Sequence, residues 1–253
     1  MLILSQGPYD QFLLFGDSIT QQSCDQASGF AFSPALQNAF IRRLDVINRG
    51  FSGYNTTQAL AALPAFMPKP EQASLRFMAV FFGANDACLP GTTGQDVPLN
   101  EFKQNLRDTI QHKTVTAQKP RIILITTPPI NEYKLEEHYL AKGVSDRSRT
   151  AEHTRKYADA CKDIGKELAV AVLDIWSIMM AKAGWKEGEP LVGSKKAERS
   201  KVLDELLVDG LHFLPAAYKV LYESMMELIC RTWPDQYPEN LPSVFPVWTK
   251  APS

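Results

Sequence analysis

The chain has 253 residues, 45% of them hydrophobic and 22% charged, with 27 basic and 28 acidic residues giving a net charge of −1. That is the composition of an ordinary globular protein long enough to bury a substantial core. The charges are well mixed, so no basic stripe is available for nucleic acid or an anionic membrane surface, and no apolar run approaches bilayer length.

Arg42 is the first basic residue, and residues 1–4 are too short for the apolar core of a secretory signal, so a soluble cytoplasmic protein is expected. Cys24, Cys88, Cys161 and Cys230 are far apart, without a CxxC pair, and read as free thiols. HExxH is absent and the four histidines are scattered, so neither a metal nor a cofactor is expected.

Phe12-Leu13-Leu14-Phe15 is an unbroken apolar run that stops at Gly16-Asp17-Ser18. A strand buried on both faces reads this way when it ends in a tight turn. A polar loop is expected over 21–28, a helix over about 29–43 and a second strand over 45–48. Gly50, Gly53 and Asn55 then mark a tight loop, and a helix over 56–66 is closed by Pro64, Pro68 and Pro70. The third apolar run, 77–82, ends in Gly83-Ala84-Asn85-Asp86.

A helix over 99–115 carries Phe102, Leu106 and Ile110 on one face. The fourth strand, 122–125, is stopped by Thr126-Thr127-Pro128-Pro129. Residues 130–148 are charged and partly helical, and read as a lid or insertion over the strand ends. The next helix aligns Tyr157, Cys161, Ile164 and Leu168, with Cys161 as a core thiol, and 170–173 is the fifth strand. Residues 175–183 look helical, whereas 184–205 are polar and irregular. Asp209-Gly210-Leu211-His212 precedes a last helix opening at Pro215, whose apolar stripe is Val220, Leu221, Met225, Leu228 and Ile229. One domain over 1–233 is followed by a proline-rich, extended tail, 234–253.

Buried strands alternating with helices give a three-layer α/β/α sandwich around a central five-stranded parallel sheet with right-handed crossovers. In such a sheet, ligands sit beyond the carboxyl ends of the strands. The loops at Ser18, Gly53 and Asn85 share that edge, and Asp209 to His212 can reach it. A serine hydroxyl needs an adjacent base to act as a nucleophile. His212 could take its proton and return it to a leaving alcohol, with Asp209 holding the imidazole tautomer. The backbone N–H groups of Ser18 and Gly53 and the Asn85 amide could donate to a developing oxyanion. On its own stretch, Ser18 reads equally well as a capping or turn serine.

Gly16-Asp17-Ser18, Gly53, Gly83-x-Asn85-Asp86 and Asp209-x-x-His212 resemble, in order, the four signature blocks of the GDSL, or SGNH, hydrolases. Ile19 stands where the family name has leucine, a volume-conserving change. The stretches around 12–20, 49–54, 83–88 and 209–213, and the tail around 237–248, are similar to the isoamyl-acetate-hydrolysing esterase branch. The likeness is thin over 130–148 and 184–205. The resemblance implies a flavodoxin-like sandwich, Ser18 as nucleophile, Asp209 and His212 as its partners, and Gly53 and Asn85 as oxyanion donors. It also implies a homodimer, to which the tail would contribute.

Ser52 is a decoy nucleophile, because Gly50-Phe51-Ser52-Gly53 lacks the last glycine of G-x-S-x-G. Asp17 and Asp86 are expected to pin their loops by hydrogen bonds, Cys88 to be a small buried filler, and His112, His138 and His153 to be surface or helix-face residues. The expected activity is a serine esterase acting on small carboxylic esters, acetates among them, through an acyl-enzyme. The alternatives are a carbohydrate or lysophospholipid deacylase on the same scaffold, and a catalytically silent binding module. A small-molecule ester is the expected partner, with no nucleic acid and no membrane insertion.

Overall fold

Leu13 and Phe15 of the first strand pack into one hydrophobic cluster, while Phe12 and Leu14 pack into another. The same alternation divides Met78 and Val80 from Phe77 and Ala79, and Leu124 from Ile123. Side chains of period two thus fill a core on each face of one sheet, which is why these strands are apolar without interruption.

The computed structural model describes residues 9–143 and 148–251. Residues 1–4, the part of the 130–148 segment at 144–147, and the tail's last two residues, 252–253, lie outside the described residues. Strands β1 (Asp10–Gly16), β2 (Leu44–Gly50), β3 (Leu75–Phe81), β4 (Arg121–Ile125) and β5 (Ala171–Leu173) form a parallel sheet ordered β2-β1-β3-β4-β5. The helices are α1 (Ser18–Gln22), α2 (Phe32–Ala39), α3 (Thr56–Phe66), α4 (Leu99–Ile110), α5 (Lys113–Gln118), α6 (Glu132–Ala141), α7 (Ala151–Glu167), α8 (Ile175–Lys182), α9 (Lys201–Leu206) and α10 (Pro215–Thr232). Residues of α2, α8, α9 and α10 line one core and residues of α3, α4 and α5 the other, giving the three layers expected. The order is the flavodoxin-like one, and its switch point lies between β1 and β3. The loops bearing Ser18 and Asn85 leave those two strands. Among the described residues, no helix is long and apolar enough to cross a membrane.

Several boundaries differ from the sequence expectation. Ser18 opens a short helix, α1, where only a loop from residue 21 was expected. The 29–43 helix shortens to α2, and Arg42 turns the chain with φ of +63°. Pro64 lies inside α3 instead of closing it. It is exposed, so water can take the carbonyl its missing N–H leaves unpaired. The 99–115 helix divides into α4 and α5 because the His112 side chain accepts the Thr114 N–H at 3.3 Å and caps a new start. The end of the irregular 184–205 stretch forms most of α9.

The tail lies along its own chain for much of its length. Arg43 donates to the Leu241 carbonyl (2.9 Å), Arg42 to those of Phe245 (2.9 Å) and Pro246 (2.7 Å), and the Val244 N–H to the Arg42 carbonyl (2.9 Å). Leu241 is buried, whereas Val247 and Trp248 are exposed.

Candidate active site

The turn after β1 is fixed from several directions. The Asp17 carboxylate accepts the Ile19 N–H (2.9 Å) and caps α1, setting Ser18 as its first residue. Tyr218 of α10 donates its hydroxyl proton to the Ile19 carbonyl (2.8 Å), and the Asn48 amide donates to that of Thr20 (2.8 Å). Ser18 itself is buried.

Asp209 and His212 sit on a small hairpin closed by the antiparallel bridge between Leu207 and Phe213. Asp209 Oδ1 accepts the N–H groups of Leu211 (3.0 Å) and His212 (2.8 Å), and Asp209 Oδ2 lies 2.7 Å from His212 Nδ1. On the other side of the ring, His212 Nε2 lies 2.9 Å from Ser18 Oγ. Gly210 permits the turn: its φ is +90°, and a Cβ there would fall 2.4 Å from the Asn131 carbonyl oxygen. Burial alone would raise the Asp209 carboxyl, but the hydrogen bonds from the His212 ring and backbone outweigh it and hold the carboxyl well below the usual range.

Serine, histidine and aspartate therefore form one hydrogen-bonded chain across 194 residues of sequence. The arrangement can strip a proton from the Ser18 hydroxyl onto Nε2 while the carboxylate stabilises the resulting imidazolium.

Gly53, with φ of +82°, lies on the same cleft, and its N–H has no acceptor among the described residues. The Ser18 N–H has none either. Asn85 donates one amide hydrogen to the Tyr54 carbonyl (2.8 Å), which leaves the second for a ligand. Three donors of the expected kinds thus border one cleft with Ser18 and His212.

Asp17 and Asp86 pin the two loops, as expected. Asp86 accepts the Thr56 N–H (2.9 Å) and the Thr56 hydroxyl (2.5 Å), which ties the β3 loop to the start of α3. Burial pushes the Asp17 carboxyl up to about 7, against the pull of the Ile19 N–H, and the Asp86 carboxyl up to about 6, against the pull of Thr56. Asp86 Oδ2 is buried with no hydrogen-bond partner among the described residues, in keeping with the upward push that burial gives this carboxyl.

The cleft encloses about 230 Å³. Beyond the expected residues, it is lined by Ser52, Gln95, Leu135, His138, Tyr139, Lys142, Arg149 and Leu211. Leu135, His138 and Tyr139 come from α6, so this part of the 130–148 segment does lie over the strand ends. His138 is a helix-face residue of α6, as expected, and the face it occupies also borders the cleft. His112 caps α5, and the His153 ring lies 5.3 Å from that of Tyr157, both away from the cleft. Ser52 borders the cleft but has no histidine bonded to it among the described residues, and Cys88 is a buried filler. Gln95 and Arg149 escaped sequence reasoning because they stand in no motif and on no apolar face.

A family model described as GDSL-like Lipase/Acylhydrolase matches residues 14–220. The chain is 34% identical over 243 residues to the mouse protein named isoamyl acetate-hydrolyzing esterase 1 homolog, covering 95% of this chain and 87% of that one. It is 33% identical over 242 residues to a GDSL esterase/lipase of Arabidopsis thaliana, covering 93% of this chain and 91% of that one. A lipase/acylhydrolase from Enterococcus faecalis has a similar fold, with a TM-score of 0.60 at 23% identity over 92% of this chain and 98% of that one. A catalytic mutant of an acetylxylan esterase from Geobacillus stearothermophilus gives 0.57 at 19%, over 88% and 95%. With most of its length matched, this chain belongs to the GDSL-like lipase/acylhydrolase family and is a carboxylic ester hydrolase.

Proposed function

We propose that the protein is a serine esterase that hydrolyses small, short-acyl carboxylic esters, with Ser18 as nucleophile and His212 and Asp209 as its activating pair. The observation that carries this reading is the 2.9 Å contact between Ser18 Oγ and His212 Nε2, continued by the 2.7 Å contact between Nδ1 and Asp209. Ser18 Oγ attacks the ester carbonyl as its proton passes to Nε2. The tetrahedral oxyanion is held by the N–H groups of Ser18 and Gly53 and by the Asn85 amide. Its collapse expels the alcohol, which takes the proton from His212. Water then attacks the acyl-enzyme with His212 as base, and the acid leaves.

Two facts favour short acyl groups. A relative at 34% identity is named for isoamyl acetate. The cleft is small and mostly polar, with Gln95, His138, Lys142 and Arg149 outnumbering Leu135 and Leu211. That lining suits a small or hydroxyl-rich ester better than a long alkyl chain, so a carbohydrate deacylase is the second reading. The test is a panel of nitrophenyl esters from acetate to palmitate, with acetylated sugars alongside, on wild type and Ser18→Ala. Activity should be highest on acetate or butyrate and fall by roughly 10⁴-fold in the variant. Undiminished activity in the variant, or a preference for palmitate, contradicts the proposal.

The division into a hydrolase domain over 1–233 and a tail over 234–253, and the tail's part in a homodimer, are proposed on the exposed Val247 and Trp248. A solution mass that stays monomeric with the tail intact contradicts the dimer.

A further inference from the structure

Asn85 is useful to the reaction only if its NH₂, and not its oxygen, faces the substrate. An amide side chain has nearly the same shape in both orientations, so its neighbours must decide. Here they are all of one kind on each side. Asn85 Oδ1 accepts from Gln95 Nε2 (3.3 Å) and from Arg149 Nη2 (3.3 Å), while its Nδ2 donates to the Tyr54 carbonyl (2.8 Å). A flipped amide would set its NH₂ against two donors and its oxygen against a carbonyl.

Gln95 does more than meet Asn85. The same Nε2 donates to the Gly53 carbonyl (2.8 Å), so its two hydrogens bridge the loop after β2 and the loop after β3. Arg149 is buried and has no carboxylate within ion-pair distance among the described residues. Its guanidinium is spread over the Ala84 carbonyl (2.8 Å), the Tyr139 hydroxyl of α6 (3.1 Å), the Ser148 hydroxyl (3.3 Å) and Asn85. A buried cation bonded to the amide oxygen draws electrons from the NH₂ and strengthens it as a donor. A buried charge with no anion beside it among the described residues is costly to hold, and the arrangement puts it beside the point where negative charge develops.

We propose that Gln95 and Arg149 are positioning residues that fix the Asn85 amide NH₂-inward and hold it beside Gly53, so that the oxyanion donors are set before substrate arrives. This rests on the reading of Asn85 and Gly53 as oxyanion donors. It also joins α6 to the chemistry, through Tyr139 and Arg149. Because the devices act on the amide, their removal falls on the transition state and not on substrate binding.

The test compares Gln95→Glu, Gln95→Ala, Arg149→Lys, Asn85→Ala and the double variant Asn85→Ala/Gln95→Glu in hydrolysis of nitrophenyl acetate, each with a thermal melt. Glutamate has the size of glutamine but, ionised, no hydrogen to donate. Gln95→Glu is expected to lose about 10²-fold in kcat, approaching the loss in Asn85→Ala, with KM changed less than about threefold. Gln95→Ala and Arg149→Lys are expected to lose about tenfold each. In the Asn85→Ala background, adding Gln95→Glu should cost less than about tenfold, because the part that passes through Asn85 is already gone and only the bond to the Gly53 carbonyl is left to lose. A field effect of the new charge would persist in that background and overturn the proposal, as would a Gln95→Glu enzyme at the wild-type rate. If Asn85→Ala keeps the wild-type kcat, the oxyanion reading itself fails and the clamp with it. If Asn85→Ala is slow but both Gln95 variants are not, the clamp alone fails. Should Arg149→Lys not fold, the Gln95 arms decide.

Discussion

One carboxylate holds His212 twice: Asp209 Oδ1 accepts the backbone N–H of His212 at 2.8 Å, and Asp209 Oδ2 meets its ring Nδ1 at 2.7 Å. The backbone bond sets where the ring stands, and the ring bond sets which nitrogen carries the proton. With Nδ1 protonated toward the carboxylate, Nε2 is left as the acceptor for Ser18.

Asp209→Asn separates those two duties. The asparagine oxygen can still accept the backbone N–H groups, but its NH₂ facing Nδ1 drives the ring proton to Nε2. The kcat on a short nitrophenyl ester should fall about 10³–10⁴-fold with the fold retained by circular dichroism. A kcat within about tenfold of wild type contradicts the role given to Asp209.

Gly210→Ala tests the hairpin. The added Cβ meets the Asn131 carbonyl oxygen at 2.4 Å and the Leu135 N at 2.6 Å, at a backbone φ of +90°. The clash and the strain together should cost about 2–4 kcal/mol in urea unfolding and lower kcat as the imidazole shifts. Stability unchanged within about 0.5 kcal/mol contradicts the packing described here.

Asp17 makes stability depend on pH in a defined sense. Its carboxyl, ordinarily at 3.8, is raised to about 7 in the folded chain, chiefly by burial. Between those values the folded state holds the proton that the unfolded state releases. The group's contribution is therefore complete below pH 3.8 and is lost as pH rises through about 7. Asp17→Asn can keep the acceptor for Ile19 and never ionises. Its melting temperature should gain on wild type between pH 4 and pH 8, at about 2–4 °C per kcal/mol for a chain of this size. A difference that stays constant with pH contradicts the burial of that charge.

Tyr218→Phe removes the 2.8 Å bond to the Ile19 carbonyl and leaves a buried acceptor behind Ser18. A loss of about 1–2 kcal/mol is expected, with a smaller fall in kcat as α1 loosens. Denaturant unfolding and steady-state kinetics on the same preparation measure both. No change in either contradicts the support assigned to α10.

The strands were readable because a sheet buried on both faces demands unbroken runs such as those at Phe12 and Phe77, each ending in glycine. The candidate site was legible because Ser18, Gly53 and Asn85 stand in short motifs just beyond strand ends, and Asp209 and His212 share one short motif ahead of the last helix. What escaped has a physical reason. Pro64 inside α3 and the His112 cap between α4 and α5 are local compromises that an apolar stripe does not register. Gln95 and Arg149 make hydrogen bonds to residues 42 and 64 positions away, Gly53 and Asn85, and a polar residue in a loop carries no mark of its partner.

The central claim is tested most directly by mass spectrometry of the folded protein after a fluorophosphonate probe, with peptide mapping. A single adduct on Ser18 is expected, absent in Ser18→Ala and formed far more slowly in His212→Ala. An adduct on Ser52 instead, or labelling of Ser18 at an undiminished rate without His212, would contradict the account.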